Sequence, residues 1–252
     1  MDRRFWYLVL EFAMKDFKIR YTHSVLGYAW SILNPLIFSV LYYFVFSVFL
    51  RFDVPNYPGY LLLGIILWTF FSEGSSNGIA SLLGRAGIIT KVALPREVVV
   101  FAAILNAFIT LSISLFILSA MLWLVGTPFS WTVLTMPVTI IDLVLITTGI
   151  SLLLAPLQVR YHDIGYLWGV AVQIGFWLTP IIYLDSFVPP RWHWLFIYNP
   201  MARIVTQGRE ALVYRSWPGG LAMLQTSAFA LVLLLVGWWV FRRMQPRLLE
   251  YY

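Results

Sequence analysis

Cysteine is absent from this 252-residue chain, which excludes disulfides, thiolate metal sites and thiol nucleophiles together. Charge is scarce as well. Only 11% of the residues are Asp, Glu, Lys or Arg, against about 25% in a soluble domain, too few to cover a water-facing surface. The three histidines, His23, His162 and His193, form no metal-ligand spacing, and neither H-E-x-x-H nor G-x-S-x-G occurs. A G-x-x-x-x-G-K-[ST] loop is missing too, so nothing here cradles ATP phosphates. The residues thus supply no catalytic site, no metal site and no cofactor site on this chain.

What is present is apolar and aromatic. Hydrophobic residues make up 61% of the chain, with 12 Trp and 14 Tyr, residues that favour membrane interfaces. The net charge of +6 does not point to nucleic acid, because the basic residues sit at the edges of apolar runs. Six runs approach the roughly 20 residues that span a bilayer core as a helix. They cover about 30–50, 59–81, 97–125, 131–157, 164–184 and 221–241, the second weakened by Ser72, Glu73 and Gly74. The expected fold is an all-α integral membrane protein of six transmembrane helices, one permease-like domain over 1–252. Lys and Arg set its orientation. Arg3, Arg4, Lys15, Lys18, Arg20, Arg85, Lys91, Arg96, Arg160, Arg242, Arg243 and Arg247 fall on one side of these spans; Arg51, Arg191, Arg203, Arg209 and Arg215 fall on the other. Both termini are expected in the cytoplasm, with the chain in the inner (cytoplasmic) membrane.

Three segments lie outside the spans. Residues 1–28 are expected to form an amphipathic interface helix that runs through Ser24-Val25-Leu26-Gly27 into the first span, unlike a cleavable signal peptide. Phe5, Leu8, Val9, Phe12 and Ile19 form one arc, Arg4, Glu11, Lys15 and Lys18 another, and Asp16 intrudes on the apolar side. Such a helix serves either as a lipid-surface anchor or as a contact for a partner or a charged headgroup. The cytoplasmic loop 82–97 places Ile88, Ile89, Val92 and Leu94 among Arg85, Lys91 and Arg96. These aliphatics either tuck against the chain's own spans or form a docking surface. The outer loop 185–220 is rich in Pro and aromatics, including Trp192, Trp194, Phe196 and Tyr198, with Arg203 and Arg209 beyond them. It reads as short re-entrant helices, since non-helical backbone at membrane depth needs protein or a water-filled cavity around it.

In the first span Phe38, Tyr42, Phe46 and Phe49 recur along one helical face, and the fifth supplies Tyr166, Gln173, Trp177 and Tyr183. Aromatic rings pack against the C–H patches of sugars while Tyr hydroxyls meet their O–H groups. A path lined with weak, repeated sites permits sliding. Rings that face lipid or pack between helices would show the same periodicity. Glu73 and Asp142 fall within spans, where ionisable groups are functional candidates, yet helix–helix hydrogen bonding accounts for them equally.

Several motifs, in their order and spacing, resemble the permease subunit of ABC-type polysaccharide exporters, which export O-antigen, capsule or teichoic acid. They are Lys15-Asp16-Phe17-Lys18-Ile19-Arg20-Tyr21 with Ser24-Val25-Leu26-Gly27, then Trp30, Leu33 and Pro35. Lys91-Val92 with Leu94-Pro95-Arg96-Glu97 follows, then Thr179-Pro180-Ile181-Ile182-Tyr183, and Asn199-Pro200-Met201 leading to Arg209. His162 stands where the family tends to have an arginine before Asp163, a departure that leaves no fixed charge there. The resemblance implies a homodimer with two copies of a nucleotide-binding ATPase subunit that holds ATP and Mg, moving a lipid-linked polysaccharide among membrane lipids. It places the first and fifth spans around the channel. The basic residues Arg3, Arg4, Lys15, Lys18 and Arg20 are expected at the cytoplasmic headgroups as the substrate headgroup entry, and the loop residues Arg85, Ile88, Ile89, Lys91 and Leu94 are expected to couple to the ATPase. Trp192, Trp194, Phe196, Tyr198, Arg203 and Arg209 would form an outer gate. An ABC exporter of small molecules, or an intramembrane glycan- or lipid-modifying enzyme, are the alternatives.

Overall fold

The computed structural model describes residues 3–21, 27–45, 56–92, 94–124 and 130–250. Among them the regular structure is helical: α1 Arg3–Tyr21, α2 Trp30–Tyr43, α3 Tyr57–Gly84, α4 Ala86–Ile89, α5 Glu97–Leu124, α6 Met136–Arg160, α7 Ile164–Leu178, α8 Trp194–Tyr198, α9 Pro200–Leu212 and α10 Gly220–Met244. Among the described residues three stretches are long and apolar enough to cross a membrane: Glu97–Leu124, Gly220–Met244, and Trp131–Arg160, which joins a 3-10 turn to α6. Helix α3 has 28 residues, about 42 Å at 1.5 Å per residue, but its second half is diluted by Ser72, Glu73, Ser75, Ser76 and Asn77.

Local chemistry sets the boundaries. Prolines open α3, α6 and α9 within their first two positions, where the missing N–H costs nothing. Asn56 precedes α3 in the left-handed region, φ 53°, which Asn tolerates better than most residues. Asn199 caps α9 by accepting hydrogen bonds from the Met201 and Ala202 backbone N–H groups at 2.9 and 3.3 Å. Glu97 begins α5, where a carboxylate complements the helix dipole.

Helices α3, α5, α6 and α10 form the hub, and α6 and α10 share its most extensive contact. Small residues bring that pair together. A Cβ added at Gly237 would lie 2.2 Å from the Gly149 carbonyl oxygen, and one at Gly78 would lie 2.4 Å from Ser151 Oγ. The polar dilution of the second run is therefore the seam where α3 crosses α6. Leu63, Leu67, Leu111, Leu143 and Ile146 fill the centre, fully buried.

The N-terminal helix lies across the start of α5, burying Phe5, Val9 and Ala13 against Val98 and its neighbours. Its described extent, Arg3–Tyr21, is shorter than the expected 1–28, and residues 22–26 lie outside the described residues. Ile19, assigned to the apolar arc, is exposed, whereas Asp16 is half-buried and paired with Arg85. The charge that broke the amphipathic pattern is thus the one that fastens α1 to the end of α3.

The fifth run needs a second correction. Its helix stops at Leu178 and not near 184, because Thr179 turns to an extended conformation (φ −103°, ψ 131°) ahead of Pro180. Fifteen helical residues reach about 22 Å, short of a roughly 30 Å hydrocarbon core. The turn that follows is well buried, with Ile181 and Ile182 in the core.

Candidate functional site

The end of the bundle where α7 stops and α9 packs is held by Arg209, 2% exposed. Its guanidinium donates to the carbonyls of Tyr60 (3.2 Å), Pro180 (2.6 Å) and Ile181 (2.7 Å) and lies 3.3 Å from the centre of the Tyr60 ring. The Tyr57 hydroxyl donates to the Ile182 carbonyl and the Tyr60 hydroxyl to the Tyr183 carbonyl, both at 2.8 Å. Together these groups satisfy the backbone that the short α7 leaves without helical partners. Burial lowers the Arg209 pKa to about 10, with Tyr60, Tyr214 and Asp185 pulling the other way, so the side chain keeps its charge at neutral pH. Sequence reasoning missed Tyr57 and Tyr60. Their i, i+3 spacing at the start of a run was the available signal, but it also fits an interfacial belt.

The other residues assigned to the outer gate occupy different surroundings. Trp192, Trp194 and Tyr198 are exposed, at 44%, 49% and 78%. Phe196 is half-buried against Tyr183, ring centres 6.4 Å apart. Arg203 donates to the Ile197 carbonyl at 2.7 Å and to Gln225 Oε1 at 2.9 Å. Aromatic surface and buried fastener are thus separate parts of the 185–220 segment, whose α9 packs against α3, α6 and α10.

The rim of the bundle is α2 and α7, both leaning on α3. Helix α7 buries no side chain fully; it touches α3 through Trp168 Nε1, which donates to Ser75 Oγ at 3.0 Å, and through the Trp68–Phe176 ring contact. Tyr166, Gln173 and Trp177 are exposed along it, while Tyr183 is half-buried and donates to the Trp177 carbonyl. Leu167, Val170 and Ile174 are exposed as well, so the open arc of α7 mixes aromatic, amide and aliphatic groups. Phe38 on α2 is exposed. The Tyr42 side chain, Phe46 and Phe49 lie outside the described residues.

At the opposite end the loop expected to couple to an ATPase turns some of its residues inward. Ile89 is 6% exposed and packs with Leu82, Val99, Val100 and Leu152, and Leu94 is half-buried beside them. Ile88, Lys91 and Val92 face outward. Ile89 is therefore a core residue of the loop and not part of its outer face. Arg85 also points inward, pairing with Asp16, lying 5.2 Å from the Phe12 ring centre and donating to the Val99 carbonyl at 3.4 Å. Glu97, 3% exposed, pairs with Arg242 at 3.2 Å and accepts from Gln245 Nε2 at 3.4 Å, while Arg96 donates to the Gln245 carbonyl. These contacts tie the ends of α1, α3, α5 and α10 into one assembly.

The basic residues of α1 do not form one cluster. Arg3 and Arg4 stand about 18 Å along the axis from Lys15, all of them exposed, as is Lys18; the Arg20 side chain lies outside the described residues. Arg4 lines a groove with Trp238 and Arg242. Within the spans, Asp142 is 2% exposed and accepts from Ser227 Oγ at 2.8 Å across α6 and α10, a helix–helix hydrogen bond. Glu73 is half-buried on α3, and His162 is exposed with its carbonyl bound to Gln158. Among the described residues no three His, Asp or Glu side chains gather as a metal site.

Comparison with known proteins matches residues 7–213 to a family described as ABC-2 type transporter. The chain is 32% identical over 205 residues, 81% of this chain and 79% of the relative, to the O-antigen export system permease protein RfbA of Klebsiella pneumoniae. It is 24% identical over 229 residues to the O-antigen export system permease protein RfbA of Myxococcus xanthus, covering 90% of this chain and 88% of that one. With the polysialic acid transport protein KpsM of Escherichia coli it shares 21% over 240 residues, 94% and 93% of the two chains.

Proposed function

Because this chain belongs to the ABC-2 type transporter family, as its non-catalytic, multi-pass membrane permease, we propose that it forms the channel of an ATP-driven exporter of lipid-linked polysaccharide. The family implies an ATPase partner. In this reading two copies of the permease join two copies of that ATPase, which binds ATP and Mg, in the cytoplasmic membrane. Six spans leave both termini in the cytoplasm, α1 lies at the inner interface, and the 185–220 segment re-enters the outer leaflet as a lid. The polymer is O-antigen-like, carried from the cytoplasmic side outward.

The observation that carries this reading is the match, across most of the chain, to permeases named for export of O-antigen and transport of polysialic acid. The open face of α7 supports it. Tyr166, Gln173 and Trp177 are exposed on a helix that the chain leaves only loosely covered, as expected of a surface that a second copy completes around a glycan. Tyr42, Phe46 and Phe49 would join Phe38 along the same path. On the cytoplasmic side Ile88, Lys91 and Val92 face the ATPase, with Ile89 and Leu94 holding the loop from within. Of the basic set Arg3, Arg4, Lys15, Lys18 and Arg20, the part toward the end of α1, Lys15, Lys18 and Arg20, receives the phosphate-bearing head of the lipid carrier, each basic residue attracting anionic groups by about 1 kcal/mol.

Deleting the gene tests the reading. The expected result is loss of a surface glycan with its lipid-linked form accumulating inside the cell, reversed by restoring the chain. Unchanged surface glycan together with altered efflux of small molecules would replace the polysaccharide with a drug-sized substrate.

A further inference from the structure

An apolar cleft of 650 Å³ lies between α1, α5, α6 and α10, away from the α2–α7 rim. Trp6, Phe108, Ile141, Val144, Leu235 and Trp238 are among its walls, and Thr148 is the only side chain there with a hydroxyl. Its volume falls within the roughly 300–1,000 Å³ of ligand pockets. Packed proteins hold few voids larger than a water molecule, and an unfilled cleft would forfeit the dispersion contacts of its lining. Within a bilayer, the material at hand to fill it is a hydrocarbon chain.

One end of the cleft is chemically different. Phe5, Trp6, Phe101 and Trp238 stack there edge to face or tilted, with ring centres 5.5 to 6.2 Å apart. Trp238 also lines the neighbouring groove, which holds Arg4, Arg242 and Glu97. Glu97 is matched by Arg242 at 3.2 Å, so the groove carries the surplus positive charge of Arg4. Arg3 and Arg243 stand exposed beside these residues in sequence. Aromatic rings between an apolar cleft and a basic groove are the arrangement expected where acyl chain gives way to headgroup.

We propose that this cleft and groove bind a resident anionic phospholipid, one acyl chain in the cleft and its phosphate at Arg4 and the edge of the Glu97–Arg242 pair. The lipid would brace α1 against α10 behind the transport path. The proposal rests on the membrane topology above only for the leaflet it faces, and its test reads lipid binding and not export, so either can fail without the other.

The test purifies the full-length chain in mild detergent, exposes it to equal amounts of phosphatidylglycerol and phosphatidylcholine, washes, and weighs the complexes by native mass spectrometry. Phosphatidylglycerol should be retained preferentially. Arg4→Gln should weaken retention about fivefold, the effect of losing roughly 1 kcal/mol of headgroup attraction. Ile141 and Leu235 line the cleft and are 56% and 57% exposed. Ile141→Trp and Leu235→Trp, entering from α6 and from α10, should each abolish retention while the lipid-free protein melts as the parent does. Equal retention of both lipids, undiminished retention in all three variants, or a bound isoprenoid carrier in place of phospholipid would overturn the proposal.

Discussion

Helices α6 and α10 on one side, and α2 and α7 on the other, are all apolar, yet the chain treats them differently. The first pair is drawn together until Gly237 and Gly149 touch backbone to backbone, and Asp142 and Ser227 hydrogen-bond across the seam. In the second pair α2 leans on α3, and α7 rests on α3 through aromatic edges, with its side away from α3 left open. Hydrophobicity alone does not separate these cases; small residues and buried polar pairs do. In a membrane, where lipid is as apolar as leucine, close packing decides which helices associate. The hub is closed by close packing and buried polar pairs, and the rim is left open.

The largest expected effect is at the point where rim is pinned to hub. Arg209→Leu should strip the Ile181 carbonyl of its donor and leave the Pro180 carbonyl only the 3.5 Å Tyr60 hydroxyl, at about 1–3 kcal/mol for each buried group so exposed, and lower the melting temperature in detergent. Recovery of normal melting by Arg209→Lys alone would show that charge, and not the three-way fork, is what matters. Next, Gly237→Ala should cost about 1–3 kcal/mol by overpacking the seam, whereas Gly169→Ala on the rim, where an added Cβ meets nothing within 4 Å, should change melting by less than about 0.5 kcal/mol. Equal costs at the two glycines would erase the distinction between hub and rim.

A smaller effect belongs to the end where α1 meets α3. Asp16 and Arg85 are partly exposed, 32% and 16% by side chain, so Arg85→Gln should cost no more than about 1 kcal/mol of stability. If this pair transmits motion of the loop to α1, the same change should lower export with the ATPase still bound. Ile88→Asp should do the reverse, weakening pull-down of the ATPase with melting unaltered. Loss of melting stability in Ile88→Asp would mean that the residue packs within the chain, as Ile89 does.

The long runs were legible because periodicity and length suffice for them. The third run, read as 97–125, is helical over Glu97–Leu124, and the sixth, read as 221–241, is helical over Gly220–Met244. What escaped was long-range pairing. Asp16 looked like a flaw in an amphipathic helix because its partner, Arg85, is 69 positions away. Tyr57 and Tyr60 carry no distinctive mark in the sequence because the carbonyls they satisfy come from a turn more than 120 positions later. Ile88 and Ile89 stand together as coupling candidates in the sequence because a short loop carries no period long enough to say which aliphatic points in. The fifth run was overextended since Thr179-Pro180 ends the helix while the apolar residues continue.

The central claim is that the open face of α7 lines a water-accessible path between two copies. Single cysteines can test it cleanly in a chain that has none of its own. Tyr166→Cys, Gln173→Cys and Trp177→Cys would be compared with Leu231→Cys and Val232→Cys on the exposed side of α10, in intact membranes containing the ATPase. A membrane-impermeant maleimide should label the α7 positions faster during ATP turnover and leave the α10 positions unmodified. Equal labelling of both helices, or none on α7 under turnover, would contradict the account and place the path elsewhere.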